Sequence, residues 1–157
     1  MPKHQETKIL PYLPEQVFDL VADVERYPEF LPWVRGARIS QRDGDSFHAD
    51  LLVGFKMIRE RYTSKVTLNR PDGIDVTYTY GPFRYLENSW RFTPHPDGCQ
   101  LEFFLAFEFK SRFLQRVIGG LFNEAVRKMV SSFENRARAM YGDEARSGNA
   151  LPTGGPA

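Results

Sequence analysis

The sequence predicts an α+β domain in which a curved antiparallel sheet wraps around one long C-terminal helix. Two observations carry this reading. Across residues 35–110 apolar side chains recur with a period of two, interrupted by turn residues, as in an antiparallel meander with one apolar face. Across residues 111–141 the period lengthens to that of a helix. A sheet and a helix that are each apolar on one side must bury those sides together, and at ~1.5 Å per residue the helix is about 45 Å long, enough to cross a whole sheet.

The elements follow in chain order. Residues 5–10 form a short first strand, which Pro11 ends. Pro14 suits the first turn of a helix, and Val17, Phe18, Leu20, Val21 and Val24 continue it at helical spacing. The segment YPEFLPWV, residues 27–34, holds two prolines and three aromatics, so it is a short helix or a turn. Alternation then begins. Phe47, Ala49, Leu51 and Val53 share one face, as do Ile58, Tyr62, Val66 and Leu68, then Ile74, Val76, Tyr78 and Tyr80. Leu86, Trp90 and Phe92 follow, and Leu101, Phe103, Leu105, Phe107 and Phe109 close the series. Asp43-Gly44, Pro71-Asp72-Gly73 and Pro96-Asp97-Gly98 supply turns.

The final helix carries its stripe at Leu114, Val117, Ile118, Leu121, Phe122, Val126 and onward, and Gly119-Gly120 interrupts it. Each glycine costs roughly 1 kcal/mol against alanine in a helix interior. The pair therefore marks a kink, or a close approach by another backbone or a ligand. Residues 142–157 are rich in Gly, Pro and small side chains and are expected to be a disordered tail, leaving residues 1–141 as a single domain.

Composition narrows the function. The 157 residues fit one domain, 41% are hydrophobic, and aromatics reach 14%, led by thirteen Phe and seven Tyr. The lone cysteine, Cys99, excludes an internal disulfide and a multi-thiolate zinc site, and a reducing interior is the simpler setting. No segment approaches the roughly 20 apolar residues that span a bilayer, and no signal peptide is expected. The protein is therefore expected to be soluble and cytoplasmic. The formal net charge of +1 argues against a strongly basic binder of DNA. That figure conceals an asymmetry. Residues 1–109 hold 13 Lys+Arg against 16 Asp+Glu, a net −3, whereas residues 110–141 hold seven against two, a net +5. A basic amphipathic helix rests against anionic lipid or RNA, or is simply a solvated outer face.

A curved sheet and a single helix often leave an elongated pocket between them, a default place for an apolar ligand. Trp33, Phe83, Tyr85, Trp90, Phe103 and Phe107 are the aromatic candidates for its wall, with Leu86 beside them and Val117, Leu121, Phe122 and Val126 from the helix. Each of these could equally be ordinary core. Glu60 and Ser64 share a face with Ile58, Tyr62 and Val66, so they either offer hydrogen bonds to a polar ligand head or are turned outward or satisfied by burial. Catalytic patterns are missing. His4, His48 and His95 have no sequence-near partners suggesting a triad or metal site, and no GxSxG, HExxH, CxxC or P-loop occurs.

The order of elements resembles the helix-grip fold of the START superfamily, also called polyketide cyclase-like or birch-pollen-allergen-like. YPEFLPW (27–33), VGFKMIRERYTSKVTL (53–68) and GPFRYLENSWRF (81–92) are together similar to the coenzyme Q-binding START-domain family. Bacterial relatives in that group include ribosome-association toxins. Arg84 stands where the family pattern leads one to expect Lys, keeping the charge but changing its geometry. The resemblance implies a non-enzymatic protein that binds coenzyme Q (ubiquinone) or another polyprenyl quinone as carrier or chaperone in respiration or quinone biosynthesis. It implies no resident cofactor, ubiquinone being a ligand, and allows peripheral contact of the basic C-terminal helix with the inner face of a membrane. Binding to the large ribosomal subunit with inhibition of subunit association is the first alternative. A cyclase- or aromatase-like enzyme is the second.

Overall fold

The computed structural model describes residues 3–55 and 58–142. These form seven strands and three helices: β1 (Lys3–Leu10), α1 (Pro14–Ala22), β2 (Val34–Asp43), β3 (Ser46–Phe55), β4 (Ile58–Asn69), β5 (Gly73–Tyr80), β6 (Phe83–His95), β7 (Gly98–Phe109), α2 (Arg112–Gly119) and α3 (Phe122–Tyr141). A 3-10 turn, Val24–Glu29, links α1 to β2. The expected tail from residue 143 onward lies outside the described residues.

Strands β2 to β7 run as a meander, and β1 adds to the far side of β7, giving the order β1-β7-β6-β5-β4-β3-β2 with every pair antiparallel. The first strand is longer than the sequence suggests, because Lys3 to Leu10 pair residue by residue with Ala106 to Cys99. Pairing of a strand that opens the chain with one that nearly closes it depends on Gly98. Its φ of +137° lies where L side chains are rarely found, and a Cβ there would strike the Leu10 carbonyl. Pro14 stands at the first position of α1, and the Gln16 side-chain oxygen accepts from Leu13 N at 2.9 Å.

The helix expected across residues 111–141 is two helices. Ser111 caps α2 by accepting from Leu114 N at 3.2 Å. The chain breaks at Gly119-Gly120 and restarts as α3. Apart from the neighbouring backbone, no atom of the described residues lies within 4 Å of a Cβ built at either glycine, so the pair marks a break in the helix and not a close approach by another backbone. The α3 stripe of Phe122, Val126, Val130, Phe133 and Ala137 is buried against the concave face of the sheet, whereas α2 buries no residue. Polar contacts fix the helix along its length. The Trp33 indole donates to the Ala125 carbonyl at 3.4 Å, Arg136 meets Glu29 at 2.8 Å, Lys8 meets Glu134 at 2.5 Å, and the Tyr141 hydroxyl donates to the Gln16 carbonyl at 3.2 Å. The Arg136 guanidinium also lies 4.9 Å from the Phe30 ring centre, so one side chain joins α3 to the segment before β2 through charge and π contact together.

Candidate ligand-binding cavity

Between the sheet and α3 lies a cavity of about 260 Å³. It exists because inner-face side chains differ in size. Trp90 stands 4.6 Å from Phe103 and 5.2 Å from Phe133, ring centre to ring centre, and these rings fill one end. Phe83 packs on Tyr62, Phe107 and Phe109 at 5.3, 5.2 and 4.8 Å, with Phe107 passing the contact to Phe122 at 5.0 Å. Between these two aromatic clusters, Ala49 on β3 faces Ser64 on β4. Two small side chains opposite each other leave space that neighbouring rings, already packed together, do not enter.

The inner face of β4 presents Ile58, Glu60, Tyr62, Ser64 and Val66 in succession, each lining the cavity. Glu60 and Ser64 thus face inward as the alternation indicates, and the register shift against β5 between Thr63 and Ser64 does not turn them out. Ser64 is 3% exposed and its hydroxyl has no hydrogen-bond partner among the described residues. Burial pushes the Tyr62 phenol up to about 12, so it remains a protonated donor. Gly81 allows this ring its place: its φ is +148°, and a Cβ there would meet the Tyr62 side chain. Tyr27 also reaches the cavity, but its hydroxyl already donates to the Val21 carbonyl. Asn88 is similarly committed through its amide nitrogen, which donates to the Phe104 carbonyl at 2.9 Å.

Of the sixteen residues expected at a site, Trp33, Ile58, Glu60, Tyr62, Ser64, Phe83, Leu86, Trp90, Phe103, Phe107, Leu121, Phe122 and Val126 line the cavity. Arg84, Tyr85 and Val117 do not. A bulge between Phe83 and Tyr85 shifts the register of β6, so both residues following Phe83 leave the interior before Leu86 returns to it. Arg84 projects outward and pairs with Glu108 at 3.1 Å, which leaves the guanidinium on the outer face, away from anything in the cavity. The Tyr85 phenol is raised by burial and then by the nearby Glu108 and Glu87. Val117 and Ile118 are neighbours on α2, and of the two it is Ile118 that lines the cavity. Sequence reasoning missed the contributions of Val21, Leu31 and Met129, which reach the space from α1, from the segment before β2 and from α3. Their signal was hydrophobicity alone.

Leu121, 38% exposed, is the most exposed of the lining residues, and Trp33, Ile58, Glu60 and Ile118 are among those that are half-buried. Leu121 lies at the junction of α2 and α3, near Trp33, whose indole reaches the Ala125 carbonyl, and this is where the wall is most open to solvent. Just beyond, Phe113 is 64% exposed on α2, with Arg112 and Arg116 exposed on the same helix. Among the described residues no group of His, Cys, Asp and Glu could hold a metal ion. No helix among them is long and apolar enough to cross a membrane.

Residues 10–134 match the family model described as polyketide cyclase/dehydrase and lipid transport. The chain belongs to this START-like family. Within it, the ribosome association toxin RatA of Rickettsia prowazekii is 41% identical over 138 residues, covering 85% of this chain and 94% of the toxin. The mitochondrial coenzyme Q-binding protein COQ10 homolog B of Xenopus laevis is 35% identical over 145 residues, 89% of this chain and 59% of that longer protein. A START superfamily protein from Mycobacterium smegmatis superposes with a TM-score of 0.76 at 22% identity, covering 88% of this chain and 98% of that one. The curved seven-stranded sheet closed on a C-terminal helix is thus the helix-grip fold that the order of elements implied.

Proposed function

We propose that this member of the family is a non-enzymatic carrier or chaperone for a hydrophobic ligand, and that the ligand is coenzyme Q or another polyprenyl quinone. The observation that carries the reading is the cavity itself: apolar walls, two aromatic clusters and few polar side chains, held open between sheet and helix. Removing apolar ligand surface from water there contributes roughly 25 cal/mol per Å². The similarity to a coenzyme Q-binding protein supports the choice of ligand. The cavity of about 260 Å³ lies at or below the small end of ligand pockets, roughly 300–1,000 Å³, so a long polyprenyl chain would be enclosed only in part. The remainder of the tail would leave through the opening beside Leu121. Exposed Phe113 with Arg112 and Arg116 beside that opening suits peripheral contact with an anionic membrane, from which such a tail could enter. Titrating the protein with a short-chain ubiquinone, while following quenching of Trp33 and Trp90, tests the reading. Saturable quenching supports it, and an unchanged signal opposes it.

A second reading is favoured by the 41% identity to a ribosome association toxin: binding of the large ribosomal subunit and inhibition of subunit joining. Its physical support is the positive C-terminal region, in which Arg112, Arg116, Arg127 and Lys128 are exposed. Sedimentation of ribosomes with and without the protein tests it, since the reading requires 70S particles to fall and free subunits to rise. A cyclase-like enzyme, in keeping with the breadth of the family, would need an acid–base pair at the ligand. The polar side chains available are Glu60, Tyr62, Ser64 and Asn88, all set in apolar walls.

A further inference from the structure

Ser64 is the most informative polar residue in the molecule. A hydroxyl removed from water and left unpaired loses the hydrogen bonds it would make in solvent, and folded chains rarely tolerate this without a compensating partner. Ser64 is 97% buried on the 3% exposure it retains, lines the cavity, and has no partner among the described residues. Its neighbours across the sheet are Ala49 and Tyr78. Ala49 offers no polar atom, and the Tyr78 hydroxyl, which accepts from Phe83 N at 3.0 Å, makes no hydrogen bond to Ser64. Ser64 lines the cavity, so a molecule held there is placed to supply the missing partner.

The placement along β4 adds a direction. Side chains on one face of a strand are spaced about 6.6 Å apart, so Ile58, Glu60, Tyr62 and Ser64 step from the opening to mid-depth over roughly 20 Å. Beyond Ser64 lie Val66, Ile74 and Trp90, all apolar apart from the distant indole nitrogen. Serine and the protonated Tyr62 phenol both donate, and they are consecutive on this face. Glu60 stands nearer the opening, among residues that retain solvent contact.

We infer that the cavity takes its ligand head first, with a carbonyl oxygen accepting a hydrogen bond from Ser64 and the apolar tail running back past Ile58 to the opening at Leu121. This rests on the ligand-binding reading above and adds to it the chemical group recognised and the polarity of insertion. Specificity follows from the same contact. A ligand without an acceptor at that position leaves the hydroxyl buried and unpaired, so the pocket discriminates against a plain hydrocarbon of the same shape.

The test compares two probes on the full chain: a 1,4-benzoquinone bearing a ten-carbon alkyl tail, and the alkylbenzene with the same tail. The native protein should prefer the quinone by about tenfold, the size of one net hydrogen bond to a buried donor. Ser64→Ala should cut quinone affinity by about threefold to tenfold and leave the alkylbenzene unchanged. Infrared spectra supply a readout independent of affinity. The carbonyl stretch of the bound quinone should lie lower in the native protein than in Ser64→Ala. Equal binding of both probes by native protein and variant, with no carbonyl shift, overturns the inference while leaving hydrophobic ligand binding intact. Binding of neither probe overturns both.

Discussion

Ala49 and Ser64 stand directly opposite each other on adjacent strands, and both small side chains line the cavity between sheet and helix. One member is apolar; the other carries a buried hydroxyl with no partner among the described residues. Space and unmet hydrogen-bonding capacity thus coincide at one point of the sheet.

Filling the space should block the site without harming the fold. Ala49→Leu places three further carbons into an existing void, so it avoids the overpacking that a dense core would impose. Ligand affinity should fall at least about tenfold, a loss of roughly 1.4 kcal/mol or more, while thermal stability stays level or rises. Titration and a melting curve on the same variant check both halves.

The aromatic end wall should behave as core. Trp90 is 4% exposed and wedged between Phe103 and Phe133, so Trp90→Ala removes buried surface on several sides. A loss of about 3–5 kcal/mol is expected, read as a shift in the urea midpoint at unchanged slope.

Alkaline pH should destabilise the fold through buried phenols. Tyr62 titrates at about 12 in the folded chain against 10.0 for a free phenol, and burial raises Tyr27 as well. Both groups hold their protons in the folded state after the unfolded chain has released its own. Stability is therefore full below pH 10 and falls as pH rises from about 10 towards 12. The Cys99 thiol, raised to about 11 by burial, acts with the same sign above its ordinary value of 9.0. Phenolate absorbance during an alkaline titration should show tyrosines that ionise only as the chain unfolds.

Membrane contact, if it accompanies function, should map to α2. The double variant Arg112→Glu with Arg116→Glu reverses the charge of two exposed side chains on α2, so folding should be unaffected. Co-sedimentation with vesicles containing anionic lipid should be lost, and Phe113→Ser should weaken it at constant charge. Equal sedimentation of native and variant proteins would place any contact elsewhere.

Much of this was legible because strand periodicity is a strong signal. The face containing Glu60, Tyr62 and Ser64 followed from alternation, which the regular β3–β4 register preserves even though the β4–β5 pairing shifts between Thr63 and Ser64. Tyr85 is a candidate as an aromatic and not by alternation, and the bulge between Phe83 and Tyr85 leaves it outside the cavity while Phe83 and Leu86 both face in. The break at Gly119-Gly120 was visible, but its direction was not, and so Val117 was placed where Ile118 lies. The cavity itself was not readable. A void is a relation among side chains from separate elements, and Val21, Leu31 and Met129 join it only after the chain has closed. The lack of a partner for Ser64 is likewise a tertiary fact: nothing in the sequence says that Tyr78 gives its acceptor to Phe83.

The most direct test is to identify what the protein carries. Native mass spectrometry of the full chain, followed by organic extraction and mass analysis of the extract, should reveal a bound hydrophobic molecule with a carbonyl-bearing head, released by Ala49→Leu. Protein that is consistently empty, and that stays empty after incubation with added quinone, would contradict the account.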